Sequence, residues 1–282
     1  MSNGSAKLDL RKIINAVSDV IQNRPLPLRE FDQIYMKAGD MALQASLIAQ
    51  RFADKKLVFI GDGDGISLCI PYLMERKVLD TGPSEVLLLD FDERIVRAVE
   101  RFADRENMGD RIRARLYNCV DALPSEIMSQ YGAFYTNPPW GASNSGESVK
   151  VFMERGMEAC GPEAVGVVVI ADDHSVPWSG RVLAQVQRFA LDHEFYVQEM
   201  QTNLHAYHLD DAPDLRSCNL FLRAHPDRAL PSKSYPLHAR RLEDFYGKSQ
   251  DLRVQYVKEK ARVDYGKAPD GTYELEILGR ST

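Results

Sequence analysis

LVFIGDGDGIS, residues 57–67, decides the fold. Its first four residues are apolar and run into Gly61, which reads as a buried strand closed by a turn. ISLCIPYLMERK (66–77) then takes up helical spacing. The same rhythm continues outward. EVLLLDFD (85–92) reads as a second strand and ERIVRAVERFADREN (93–107) as a helix. RIRARLYN (111–118) and GAFYTN (132–137) are the third and fourth strands. GESVKVFMERGMEAC (146–160) is a helix, expected to stop at Gly161-Pro162. AVGVVVIADD (164–173) is a nearly all-apolar fifth strand, followed by a helix over SGRVLAQVQRFALDH (179–193). EFYVQEMQ (194–201) and SCNLFLRAH (217–225) close the series as an antiparallel pair. Continuously apolar strands alternating with helices predict a mostly parallel sheet covered on both faces.

The fold class is therefore α/β, a Rossmann-type, mostly parallel seven-stranded sheet with an N-terminal helical cap and a C-terminal extension. Residues 1–54 form the helical region. Leu8, Ile13, Ile14, Val17 and Ile21 mark one helix, Pro25 and Pro27 break it, and residues 29–53 read as a second, longer one. Residues 55–226 form the catalytic domain and 227–282 the extension. Within the extension, 242–263 is expected to be helical, with a charged face over Tyr256 to Arg262, and 273–278 to be a small edge strand. This tail can fold over the active site or stay partly mobile.

The bulk numbers narrow the function. The chain has 282 residues, 44% hydrophobic and 27% charged, with a net charge of −6. It lacks the run of about 18 apolar residues that a membrane span needs, and its start has no signal-peptide pattern, so the sequence reads as cytoplasmic. Cys69, Cys119, Cys160 and Cys218 form no CxxC pair and read as buried thiols, not as a zinc site or a disulfide framework. The dense basic patches, Arg240-Arg241 and Lys258 to Arg262, are flanked by acids. Nucleic-acid binding is therefore not expected. The charge balance suits a cationic small molecule; a homodimer is a further expectation.

In open α/β sheets ligands bind beyond the carboxyl ends of the strands, and four such ends are polar here. Gly61, Gly63 and Gly65 let the backbone approach a ligand closely. The interleaved Asp62 and Asp64 would repel a pyrophosphate, which argues against NAD or ATP and for a sulfonium or an amine. Asp90, followed by Phe91, is placed to accept from ribose hydroxyls. Asp121, followed by Ala122, is placed to accept from an adenine amino group. A plain tight turn at 61–65 and helix caps at Asp90 and Asp121 are the alternatives.

The fourth end, Asn137-Pro138-Pro139-Trp140, is the most specific motif. Its prolines donate no hydrogen bonds, so the Asn137 side-chain oxygen and the Pro138 carbonyl remain as acceptors for an N–H donor. Trp140 can stack on a base or sit against a cation. Acceptors aimed at an amine hold its lone pair towards an electrophile, as in-line displacement requires. The motif resembles the Asn-Pro-Pro-aromatic signature of amino-group methyltransferases.

Together, VFIGDGDGIS (58–67), LLDFDERIVRAVE (88–100), NCVDALP (118–124) and FYTNPPWGASNSGESVKVFMERGMEA (134–159) resemble the branched-chain polyamine synthases, the N(4)-bis(aminopropyl)spermidine synthases. The resemblance spans roughly residues 55–225. It implies a Rossmann-type catalytic domain, decarboxylated S-adenosylmethionine as donor co-substrate, no tightly bound cofactor, and transfer of an aminopropyl group to a polyamine nitrogen. The family's glycine loop is Gly-Asp-Asp-Asp, with an acid implicated in activating the acceptor. Gly63 replaces the middle acid here, so Asp62 and Asp64 are expected to share that role. Archaeal members typically carry Asp-Pro-Pro where this chain has Asn137-Pro138-Pro139. They also carry an N-terminal winged-helix domain, for which the N-terminal region here is too short.

A cationic acceptor also wants further carboxylates, and Glu147, Asp172, Asp173, Asp210 and Asp211 are the candidates. His205, His208, Asp210 and Asp211 fit no common zinc spacing and read as a solvated or substrate-facing loop; no metal is expected. The competing functions are an N-methyltransferase or a 3-amino-3-carboxypropyl transferase using intact S-adenosylmethionine on an amine or nucleobase, and a module that only binds its nucleoside.

Overall fold

The computed structural model describes residues 10–210, 212–261 and 272–279. Its main sheet has seven strands in the order β3-β2-β1-β4-β5-β7-β6. The parallel part comprises β1 (Lys56–Ile60), β2 (Glu85–Asp90), β3 (Ile112–Leu116), β4 (Tyr131–Thr136) and β5 (Cys160–Ala171). β7 (Arg216–Ala224) runs antiparallel to both β5 and β6 (Phe195–Ala206). The strand order reverses between β1 and β4, and that reversal opens a crevice at their carboxyl ends.

Both faces of the sheet are buried at its central strands, as their apolar runs require. On β1, Leu57 and Phe59 join one core and Val58 and Ile60 the other. The first core takes α1 (Leu10–Asn23), α2 (Ala38–Arg51), α3 (Ile66–Glu75) and α4 (Glu93–Arg105), through residues such as Val17, Ile48, Leu73 and Phe102. The second takes α5 (Glu147–Ala159) and α6 (Pro177–Asp192), through Val149, Met153 and Val186.

Four expectations about local structure need correction. Residues 29–53 are not one helix. A 3-10 turn over Arg29–Phe31 ends at Asp32, whose φ of 56° is left-handed, and α2 starts only at Ala38. Between them Met36 bridges to Tyr207, and that tertiary pairing outweighs local helix propensity. Second, α5 is not stopped by Gly161-Pro162; it passes into β5 at Cys160. The buried Arg228 guanidinium donates to the carbonyls of Met157, Cys160 and Gly161 at 2.7, 3.2 and 3.1 Å, satisfying groups that a glycine cap would otherwise serve. Third, β6 continues five residues beyond Gln201, so His205 lies in a strand.

The fourth concerns the extension. Residues 242–263 form no α-helix where described. A short 3-10 turn over Ala239–Leu242 leads through a loop into β8 (Val254–Glu259). β8 pairs with β9 (Tyr273–Ile277), the expected edge strand. Tyr256 therefore lies on a strand, and Arg262 falls outside the described residues, as do Leu8 and Asp211. β8 also docks beside the end of β2, where Val257 N donates to the Phe91 carbonyl at 3.1 Å. Among the described residues no helix is long and apolar enough to cross a membrane.

Candidate active site

A cavity of about 330 Å³ sits at the carboxyl ends of β1, β2 and β4. Four carboxyl groups line it (Asp32, Asp62, Asp64 and Asp90), and Arg29 is the one basic side chain among its described lining residues. The β1 loop enters it through Gly61, whose φ of 69° favours glycine and whose missing Cβ would lie 3.0 Å from the Phe152 ring.

Asp62 and Asp64 have separate tasks. The Asp62 carboxylate accepts from the backbone N–H groups of Gly65 and Ile66, both at 3.1 Å, and of Ser67 at 2.6 Å. It therefore satisfies the orphan donors at the start of α3. Burial pushes its pKa up to about 6, against the hydrogen bonds that lower it.

Asp64 faces the other way. Its Oδ1 accepts from Met36 N at 2.6 Å, and its Oδ2 from Asn137 Nδ2 at 2.8 Å. It thereby joins the β1 loop, the segment before α2 and the Asn-Pro-Pro motif. Burial raises its pKa above the usual carboxylate range, while Met36 N–H, Arg24 and Asn137 oppose the rise. A carboxylate oxygen has room for more than one donor, so Asp64 can still receive an amine. The intervening Gly63 lies against Tyr35: a Cβ there would sit 2.9 Å from the ring. That ring is held by its hydroxyl bond to the Pro25 carbonyl and by the Arg24 guanidinium 4.1 Å above it. Tyr35 thus occupies the space into which a middle acid would project.

Asp90 closes the next strand end. Its Oδ2 accepts from Asp62 N at 3.0 Å and its Oδ1 from Asp92 N at 2.9 Å. Burial, then the neighbouring Asp92 charge, raise its pKa to about 7. Asp92 is itself buried and bonded to Arg94 through both oxygens, at 2.9 and 2.6 Å, and it accepts from Gln33 Nε2 at 3.1 Å.

Asn137, Pro138, Pro139 and Trp140 all line the cavity. Thr136 Oγ1 donates to the Ile60 carbonyl at 2.8 Å, which locks the ends of β4 and β1 together. Trp140 packs edge-on against Tyr207, with ring centroids 5.2 Å apart.

The structure thus brings Gly61, Asp62, Gly63, Asp64, Asp90, Phe91 and the Asn137–Trp140 segment to one cavity. Gly65, Asp121, Ala122, Glu147, Asp172 and Asp173 are not among its lining residues. Gly65 supplies the left-handed turn before α3. Asp121 Oδ2 accepts from Gln255 Nε2 at 2.5 Å, so the extension takes up the carboxylate expected to meet adenine. Glu147 pairs with Arg241. Asp172 accepts from Asn203 N at 3.1 Å, and Asp173 from Ser175 N at 2.8 Å. Asp210 is exposed and off the cavity. His205 is buried, contrary to the solvated or substrate-facing loop expected for it. Among the described residues, no group of three or more His, Cys, Asp and Glu side chains is placed to hold a metal ion.

Sequence reasoning missed Asp32, Tyr35, Asn118, Phe152, Trp178, Tyr207 and Tyr246, which also line the cavity. Most come from segments far from the strand-end motifs, and no local pattern flags them. Asn118 was findable, because it follows β3 as Asp90 ends β2.

The sequence pattern of the branched-chain polyamine synthase A C-terminal domain family matches residues 12–274. The chain belongs to that family. Among curated proteins, it is 27% identical over 190 residues to an N(4)-bis(aminopropyl)spermidine synthase from Thermus thermophilus, covering 66% of this chain and 50% of the relative. It is 24% identical over 158 residues to the synthase of the same name from Thermococcus kodakarensis, covering 55% and 42%. An uncharacterized protein of Methanocaldococcus jannaschii is 25% identical over 197 residues, covering 69% and 46%. The chain therefore spans about half the length of the curated relatives it matches. Among solved structures, the branched-chain polyamine synthase from Thermus thermophilus, in complex with N4-aminopropylspermidine and 5'-methylthioadenosine, superposes with a TM-score of 0.67 at 22% identity, covering 86% of this chain and 70% of that one. A putative RNA methyltransferase from Pyrococcus horikoshii superposes at 0.56 with 15% identity, covering 77% and 98%. These likenesses establish the methyltransferase-like fold.

Proposed function

We propose that this family member moves the aminopropyl group of decarboxylated S-adenosylmethionine to a polyamine nitrogen. The observation that carries the reading is the cavity itself: its described lining residues include four carboxyl groups and one guanidinium, and Asp64 is bonded to Asn137. Once ionised, these carboxyl groups favour a sulfonium donor that ends in an amine over one that ends in a carboxylate, and they favour a polycationic acceptor. The solved relative that holds N4-aminopropylspermidine and 5'-methylthioadenosine supports the same chemistry.

In this reading the Asn137 oxygen and the Pro138 carbonyl hold the acceptor amine by its N–H groups. The amine lone pair attacks the aminopropyl carbon bonded to sulfur. The C–S bond breaks, its electron pair stays on sulfur, and neutral 5'-methylthioadenosine leaves as the N–C bond forms. Asp64 takes the proton of the amine. Its raised pKa makes it a stronger base than an exposed carboxylate. In the same reading Asp90 and Phe91 take the donor's nucleoside, and Trp140 takes the acceptor's cationic chain.

Calorimetry with both donors, followed by incubation with spermidine and mass analysis, tests this. Tighter binding of the decarboxylated donor and a spermidine product heavier by one aminopropyl group are expected. Tighter binding of intact S-adenosylmethionine, without any polyamine product, would overturn the proposal. A product heavier by one methyl group would replace it with N-methyl transfer.

A further inference from the structure

Arg24 touches the β1 loop without lining the cavity. It is the first residue after α1, and the chain on either side fixes its place. Asn23 Nδ2 donates to the Ala98 carbonyl on α4 at 2.8 Å, which ties down the end of α1. Pro25 follows and restricts the backbone. From there the Arg24 guanidinium donates to the main-chain carbonyl of Asp64 at 2.8 Å and to Met41 Sδ at 3.4 Å. It also lies 4.1 Å from the centroid of the Tyr35 ring, which fills the space beside Gly63. One guanidinium therefore holds two consecutive residues of the loop, Asp64 by its carbonyl and Gly63 through Tyr35.

The hydrogen bonds of Arg24 avoid the Asp64 carboxylate. Its two oxygens are taken by Met36 N and Asn137 Nδ2, both neutral amide donors. A guanidinium forked onto the carboxylate would fill its remaining lone pairs and weaken it as a base. A guanidinium inside the cavity would repel a cationic acceptor. Bonded to the carbonyl, Arg24 does neither. Its charge still favours the ionised carboxylate, against the burial that disfavours it. The other groups facing Asp64 do not replace it. Asp62, on the same loop, is an acid and acts the other way. Burial pushes up Tyr35, Tyr135, Tyr207 and Cys69, so these stay neutral. His208, after β6, favours the carboxylate less than Arg24 does.

We propose that Arg24 is a positioning residue for the transfer: it holds the Asp64 main chain so that the carboxylate meets Asn137, and it supplies a countercharge from outside the cavity that leaves the carboxylate oxygens to the acceptor amine. The inference rests on the proposed role of Asp64 as the base.

Two variants separate positioning from packing. Arg24→Lys keeps the charge and a donor. Arg24→Gln keeps a donor and loses the charge. Because Arg24 does not line the cavity, KM for the donor should change little in either. Arg24→Gln should lower kcat/KM for the acceptor by about ten- to a hundredfold at about pH 6, the scale of a misplaced reacting group. The loss should shrink as pH rises, because the acid limb of the profile moves up. Arg24→Lys should recover most of the rate and keep the wild-type limb, although both variants lower Tm. Lowered Tm with the wild-type pH profile in both variants would make Arg24 purely structural and overturn the proposal.

Asp62 and Asp90 titrate in the same range, so the Asp64 carboxyl is also read directly. Carbon NMR of the full chain with labelled aspartate, its Asp64 signal assigned by loss in Asp64→Asn, needs no turnover. The midpoint of that signal should move up in Arg24→Gln and stay nearly unmoved in Arg24→Lys. An unmoved midpoint in Arg24→Gln would sink the inference whatever reaction the protein performs. Absence of any aminopropyl product from the wild-type chain would instead count against the proposed function, and the titration would still decide the link between Arg24 and Asp64.

Discussion

Asp62 and Asp64 share one loop, yet their carboxylates answer to different parts of the molecule. Asp62 is committed to three backbone donors at the start of α3. Asp64 has one donor on each oxygen, the second of them from the Asn-Pro-Pro segment. Their separation by function gives a paired prediction. Asp64→Asn should cut the transfer rate by about 10²- to 10⁴-fold, the usual contribution of a positioned acid or base, while calorimetry finds donor affinity nearly unchanged. Asp62→Ala should act mainly on stability. It strips a cap and leaves buried N–H groups unpaired, for a loss of about 1–3 kcal/mol in denaturant melts. Full activity in Asp64→Asn would remove the base from the mechanism, and wild-type stability in Asp62→Ala would remove the cap. The place of the acids at the cavity was legible in GDGDG, because the loop after a strand of an open α/β sheet faces the crevice. Their division of labour was not. It depends on Met36 and Asn137, which lie 28 and 73 residues away in the chain.

At the level of elements, strands and helices whose pattern comes from burying a face were readable, and those made by distant pairing were not. β1, β2, β4 and β5 appear where apolar runs place them, since both faces of the sheet are covered there, and β3, at the end of the sheet, follows its alternating pattern. Residues 242–263 were expected to be helical, but the described part, to residue 261, is turn, loop and strand, because β9 and the Phe91 carbonyl offer a ladder that no local window contains. Asn118 is the fastening. Its Nδ2 donates to the carbonyls of Val254 and Gln255 at 3.0 and 2.7 Å, and its Oδ1 accepts from Val120 N at 3.1 Å. The bonded residues belong to the strand that occupies Asp121, while the same extension supplies Tyr246 to the cavity wall. Asn118→Ala should therefore cost about 1–3 kcal/mol of stability through unpaired buried carbonyls. It should also weaken 5'-methylthioadenosine binding and raise proteolytic cleavage within 240–260, with β1 to β5 still protected from hydrogen exchange. Unchanged protection of β8 in that variant would show that other contacts hold the extension.

Over the whole molecule, the fold concentrates buried carboxyl groups at one sheet edge and leaves their charge to be set by what binds. Burial lifts Asp62 to about 6 and Asp90 to about 7, each from 3.8. The native state therefore retains protons that the unfolded chain has already lost, and stability falls as pH rises from about 4 to about 7. A cationic ligand reverses the preference by favouring the ionised carboxylates. Binding should then expel protons near the upper end of that window, and affinity should rise with pH until both groups are ionised. Amines of the ordinary kind stay protonated well below about pH 10, so the protons released come from the protein. Spermidine titrations at about pH 6.5, in buffers of differing ionisation enthalpy, should show net release to the buffer, and the same comparison at about pH 8 should show much less. Net uptake at the lower pH, or an affinity that falls between the two, would mean that the cavity's carboxyl groups do not neutralise the polyamine and that its cationic ends lie elsewhere.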